Sequence, residues 1–258
     1  MKQMIRGMLL GLGAAAALPL GAVQGTIASE ATDYTGDIKW QPRARTYLVS
    51  YKKGKTTVQA ELKLAEVSRL EIAKPAGYDK AVEAVENRNG SAAIQPLKKI
   101  VAEYRMLTWD KPAARYLVLA YLAADQLKNA ADLCEEMLRD DKTAAYSGDF
   151  AMAYWQVLLR QGKREQLEGA MKKAISSGSR QAAAAATVMR GDAIMSEGDS
   201  PDITKRALRD GYLRAALMYA DPECARERQE GMMKAAKCFD KLGQASRAEK
   251  LRTQAKSL

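Results

Sequence analysis

Five stretches of this chain line up on one another, and that internal repeat restricts the fold more than any bulk property does. Set beneath each other, "NGSAAIQPLKKIV", "DQLKNAADLCEEML", "QGKREQLEGAMKKAI", "ITKRALRDGYLRAAL" and "LGQASRAEKLRTQA" bring Ala93, Ala130, Leu167, Ala207 and Ala248 to one position, with spacings of 37, 37, 40 and 41 residues. Within them apolar residues recur at i, i+3, i+4 and i+7, as at Leu97, Ile100, Val101 and Tyr104, which is the period of an amphipathic helix. A repeat of this length is a helix hairpin that cannot bury its apolar face alone, so hairpins stack and cover one another. Oxygen-bearing caps stand at Asp110, Ser147, Ser200 and Asp221, three of them just ahead of a proline that a first helical turn tolerates. Stops fall at Gly90, Gly162, Gly198 and Gly243. About ten helices in five antiparallel pairs are predicted over residues 76–258, with the run Ala182 to Ala186 packing closely on a neighbouring helix.

These hairpins resemble the tetratricopeptide repeat (TPR). Leu117, Tyr121 and Ala130 fall on the family's leucine, tyrosine and second-helix alanine positions, Gly191 on its small-residue position, and Ala236 and Ala248 match in the last hairpin. The repeats exceed the family's usual length, Val118 stands for a small residue, Leu167 replaces the second-helix alanine, and the consensus tryptophan is missing from its place. The resemblance implies a mainly α fold, an α-solenoid whose concave groove holds a peptide or protein segment. The residues it places in that groove are Arg115, Leu119, Met152, Gln156, Arg160, Asp192 and Lys237.

Ahead of the helices the pattern changes to strands. Thr46 to Tyr51 and Thr57 to Leu62 carry β-branched and aromatic residues in partial alternation around one glycine, with shorter runs at Ile38 to Trp40 and Val67 to Ile72. The intervening "YKKGKTTVQ" ends like a phosphate-cradling loop, but the first glycine of GxxxxGK[ST] is Val49 here, and the chain continues as a strand where that loop opens a helix. Gly54 is therefore read as a hairpin tip solvated by Lys52, Lys53 and Lys55. Residues 32–75 resemble a small SH3-like β-barrel, in which Trp40, Tyr47 and Tyr51 either fill the core or form a docking face; large rings in a small core favour the first.

Residues 1–31 read as a secretory signal. Lys2 and Arg6 precede an uncharged apolar run, Met8 to Val23, and small residues follow at Ala28 and Ala31. That run of 16 residues falls short of the roughly 20 that span a bilayer. The expected location is the periplasm or cell envelope. The net charge of +10 would draw an acidic partner, an anionic polymer or a membrane surface, although acids and bases alternate along the helices as on ordinary solvated faces. Three cysteines cannot all pair within one molecule, and Cys224 and Cys238 on one straight helix would stand about 21 Å apart, so all three, Cys134 included, are expected to be packing residues.

The chain has no histidine, which removes Ser-His-Asp and Cys-His catalysis and His-bearing zinc sites. Glu135-Glu136 and Asp140-Asp141 are adjacent on a helix and diverge by about 100° rather than converging on a substrate. At 6% the aromatics are too sparse for a nucleic-acid or sugar platform. The sequence nominates no catalytic residue, metal or cofactor. Two functions stand: a non-catalytic exported scaffold holding a protein or peptide in the groove, within an envelope complex, or a protein that binds an envelope polymer or, peripherally, a membrane surface through Arg43, Arg45, Lys52, Lys53 and Lys55. Salt separates them, since only the second should weaken steeply with ionic strength.

Overall fold

The computed structural model describes residues 22–30 and 32–258, so most of the segment expected as a signal lies outside the described residues. The chain divides into two compact units between Asp125 and Gln126, so the expected β region and the first helices after it fall in one unit.

The first unit is built on five antiparallel strands: β1 (Val23–Ser29), β2 (Asp33–Gln41), β3 (Thr46–Lys53), β4 (Thr56–Lys63) and β5 (Val67–Ile72), in the order β4-β3-β2-β1-β5. One strand more forms than the sequence pattern gives, because β1 comes from residues assigned to the signal, and the β region starts at Val23 instead of residue 32. β1 pairs β2 on one side and β5 on the other, and its Ile27 is fully buried. Ile27, Ile38, Trp40, Tyr47, Val49, Leu62 and Ile72 form one core on the inner face of the sheet, as the two-residue period of a strand requires. Trp40 and Tyr47 are therefore core aromatics, 4.9 Å apart at their ring centroids, and not a docking face.

β4 and β5 sit at opposite edges of the sheet, yet only the 3-10 turn Leu64–Glu66 joins them. In a flat sheet those edges would stand about 19 Å apart, whereas the linking residues reach only about 14 Å. The sheet must curl. Among the described residues β4 and β5 do not pair, so the expected barrel is an open, curled sheet rather than a closed one. The β3–β4 turn has two central residues, Gly54 and Lys55, with Lys53 paired to Thr56. Positive φ occurs only at Gly54 (66°), the pattern of a type II′ hairpin, which needs glycine at that first position.

Three helices complete this unit: α1 (Tyr78–Glu86), α2 (Gly90–Glu103) and α3 (Asp110–Ala123). Gly90, expected to stop a helix, instead begins α2 because it lies against the α3 backbone at Ala120, where a Cβ would come within 3.2 Å. The loop between α2 and α3 ties the helices to the sheet. Its Leu107 is buried in the sheet core, the Tyr47 hydroxyl donates to Met106 O at 2.8 Å, and Trp109 Nε1 donates to Ile72 O at 2.9 Å. Asp110, expected as a cap, is the first residue of α3 and accepts the Met106 N–H at 2.7 Å, holding that residue at φ 57°. Burial first, and then the Asp110 charge, push the Tyr47 hydroxyl up to about 12.

The second unit is helical: α4 (Leu127–Asp140), α5 (Asp149–Arg160), α6 (Arg164–Ser176), α7 (Arg180–Met195), α8 (Pro201–Ala207), α9 (Leu213–Met218), α10 (Ala225–Lys241) and α11 (Ala245–Lys256). A single π turn, Leu208–Tyr212, joins α8 to α9. α6 packs between α5 and α7, and α10 packs on α7, α9 and α11. The five aligned repeat positions fall in α2, α4, α6, α8 and α11, and each is at most 1% exposed, as a shared inward position demands. Ser179 and Ser200 cap α7 and α8 by accepting the N–H groups of Ala182 and Ile203. Asp221 caps nothing with its side chain and instead accepts a hydrogen bond from Arg180 Nε–H at 2.7 Å. α7 and the π turn meet backbone to backbone, where Gly211 lies against Gly191. Cys134, Cys224 and Cys238 are free and buried, the last two at the start and toward the end of α10.

Candidate functional site

The expected groove residues divide between the units. Arg115 and Leu119 lie half-buried on α3 of the first, and the Arg115 guanidinium covers the Tyr116 ring at 5.0 Å. In the second unit Met152, Gln156 and Arg160 follow one another along one face of α5, by their four-residue spacing. Met152 is nevertheless a core residue, 7% exposed among Trp155, Leu167 and Met189, and is not a contact surface.

Asp192 is also withdrawn from any groove. It accepts the Tyr212 hydroxyl at 2.8 Å and Lys234 Nζ at 2.6 Å, and Lys234 also pairs with Glu230 at 2.8 Å. Burial alone would lower the Lys234 ammonium, but Asp192 and Glu230 together hold it above its ordinary value. Burial, reinforced by the Asp192 charge, also pushes the Tyr212 hydroxyl far up. This network fastens α7, the π turn and α10 together. Arg160 and Lys237 remain exposed, and Gln156 half-exposed.

The five basic residues assigned to the β region are all exposed, but they do not make one patch. Arg43 and Arg45 belong to the turn before β3, whereas Lys52, Lys53 and Lys55 lie at its far end. An eight-residue strand sets those ends roughly 25 Å apart. That exceeds the screening length at physiological salt, about 8 Å, so the two groups act separately.

A feature that the sequence did not nominate is a groove of about 710 Å³ in the second unit, lined by α6, α7, α8 and the π turn. Leu167, Met171 and Ile175 recur every four residues along α6, and with Ala193 and Ile194 of α7 they form its apolar lining. Ile175 is 40% exposed, the most open apolar side chain of this α6 stripe. Glu197 bridges the rim, pairing with Arg164 at 3.4 Å and Arg206 at 2.9 Å. Arg209 holds the Asp210 carboxyl below its usual range through their shared hydrogen bond. Lys172, Arg190 and Glu168 also line the groove and form no ion pair among the described residues. The sequence signal was the four-residue spacing of Leu167, Met171 and Ile175 along α6.

Among the described residues no group of three Cys, Asp or Glu side chains is placed to hold a metal, and no helix is long and apolar enough to cross a membrane. No known protein family and no curated protein matches the sequence. Solved structures of helical repeat proteins are similar to it. MamA from AMB-1 superposes with a TM-score of 0.37 at 15% identity, over 70% of this chain and 96% of that one. A Podosopora anserina protein of kinesin-light-chain type, with nearly identical TPR-like repeats, gives 0.42 at 14% identity over 70% of this chain and 92% of its own. The character of the second unit rests on its own helix pairs.

Proposed function

We propose that this chain is a non-catalytic interaction scaffold, exported to the cell envelope, whose second unit holds a segment of another protein. The observation that carries this reading is the α6–α7–α8 groove: about 710 Å³, lined by apolar side chains and bordered by charges, of which Lys172, Arg190 and Glu168 form no salt bridge among the described residues. An apolar floor supplies affinity and a charged rim supplies orientation, which is how a groove accepts one face of an amphipathic helix. The excess of free base on the rim favours a segment carrying acidic residues beside its apolar stripe. The divided basic groups of the β region argue against a polymer-binding role for that surface.

The test is photo-crosslinking in intact envelopes at low and high salt, with the probe beside Ile175. The wild-type chain is compared with Ile175→Asp, Arg190→Glu, and a triple change of Lys52, Lys53 and Lys55 to Glu. A discrete adduct that survives salt, persists in the hairpin variant and falls at least tenfold with Ile175→Asp supports the scaffold. Salt-labile wall or membrane material, lost only in the hairpin variant, overturns it in favour of the β surface.

A further inference from the structure

Glu227 stands in the first turn of α10 and is 1% exposed. One carboxyl oxygen, Oε1, receives the Gln181 side-chain amide at a long 3.4 Å, and the other, Oε2, is buried with no hydrogen-bond partner among the described residues. An orphaned buried carboxyl oxygen costs on the order of 1–3 kcal/mol or more, so a donor is missing from its surroundings. The group lines a small cavity of about 30 Å³, shared with Tyr146, Asp149, Met152 and Trp155 on the α5 side and Gln181 on α7. The cavity is separate from the α6–α8 groove and has no lining residue in common with it.

The charged groups around this carboxyl are already committed. Asp149 of α5 and Arg226 of α10 pair with each other at 2.8 Å, and Arg180 of α7 is held by Asp221 at 2.7 Å. No charged group of the surroundings is therefore left to supply that donor. By the measure in which one water needs roughly 10–15 Å³, the space takes about two non-hydrogen atoms. That accommodates the terminal CH2–NH3+ of an alkylamine and is too small for a planar guanidinium. A cation also offsets the cost of a buried carboxylate, and the aromatic and thioether walls suit the methylenes behind it.

We propose that the Glu227 cavity is a binding site for a primary ammonium group, such as a lysine side chain or a chain N-terminus presented by a partner. Burial raises the Glu227 carboxyl above its ordinary value, and an ammonium beside it would draw it back down. Docking sets R–NH3+ against the Glu227 carboxylate as an ion pair, so whatever fraction of the carboxyl is protonated at the working pH gives its proton to solvent. No bond to carbon changes. The site does not depend on the groove, and each stands if the other fails.

The experiment is an NMR titration of the isotope-labelled full chain with n-butylammonium, n-butylguanidinium and n-butanol at constant ionic strength, together with calorimetry in buffers of different ionisation enthalpy. The expected result is a saturable shift at the Gln181 side chain and the first turn of α10, at least tenfold stronger for the ammonium than for the other two. It is lost at least tenfold in Glu227→Gln, and the proton release read by calorimetry grows as the pH is lowered. Acetyl-Gly-Lys-Gly-amide against Gly-Ala-Gly-amide then separates a lysine side chain from a chain terminus. Should Glu227→Gln not fold, Ala182→Val, which narrows the cavity from α7, must abolish the same shifts. Equal responses to all three probes, binding unchanged in the variants, or an ordered water with no saturable shift would overturn the proposal.

Discussion

The crossing of α7 with the π turn lets opposing effects be weighed at one residue, Gly211. A Cβ there would lie 2.4 Å from Gly191 Cα and 2.5 Å from Gly191 N, against an ordinary carbon contact of about 3.5–4.0 Å. Both obstacles are backbone atoms, so no side chain can rotate aside and the two helical segments must separate. Overpacking of this kind costs about 1–3 kcal/mol, and an immovable neighbour puts it at the upper end. Replacing glycine by alanine in a helix returns roughly 1 kcal/mol. Gly211→Ala should thus destabilise the second unit by about 2 kcal/mol, which at 1.4 kcal/mol per tenfold is roughly a 30-fold faster opening. Gly169→Ala on α6 is the control, because its Cβ meets nothing within 4 Å and only the propensity gain remains. The two units need not unfold together, so a single melting temperature is the wrong readout, and hydrogen exchange of α7 peptides, with β-sheet peptides as internal reference, is the right one. Slower or unchanged α7 exchange in Gly211→Ala would refute the claim that backbone contact sets this crossing.

Tyr47→Phe removes the hydroxyl that holds Met106 O and should cost about 1–2 kcal/mol in denaturant unfolding of the first unit. Because folding raises the Tyr47 hydroxyl from its ordinary 10 to about 12, the wild type holds this contribution below pH 10 and loses it between about pH 10 and 12; the variant should lack that part of the alkaline slope. Burial, with a smaller effect of Glu135, pushes the Cys134 thiol up to about 12, so iodoacetamide at pH 8 should label it only as fast as α4 opens, read by mass spectrometry with and without urea. Since β1 is an inner strand of the sheet, processing after Ala31 would delete it; N-terminal sequencing of exported protein should therefore find a start at or before Val23, and a start at Thr32 would show that the sheet forms without β1.

The sequence reads well where a residue's role depends on its own element. The repeat alignment found five positions that are all at most 1% exposed, because one inward position per hairpin is a matter of helical period alone. β1 escaped notice because Gly25 and Ala28 are the small residues that a cleavage region also uses, and only pairing with β2 and β5 makes them part of a strand. The same limit applies to Asp192. Asp192 sits on the α7 face expected to be open, but Tyr212 and Lys234, 20 and 42 residues further on, arrive to consume both its oxygens.

Glu227 carries this argument furthest. A carboxylate in the first turn of a helix is ordinarily a solvated partner of the helix dipole, and nothing in "ECARERQEG" marks it otherwise. What buries it is the arrival of the first turns of α5 and α7, from residues about 80 and 45 positions earlier in the chain, around the start of α10. Burial of a polar group is a property of the neighbours that three separate helices supply, so it leaves no trace in local periodicity. The two surfaces with most to say about partners, the Ile175 groove and the Glu227 cavity, are both of this kind. Each is assembled from at least three helices, and neither shares a residue with the five positions that make the repeat legible except Leu167, which faces both the core and the groove.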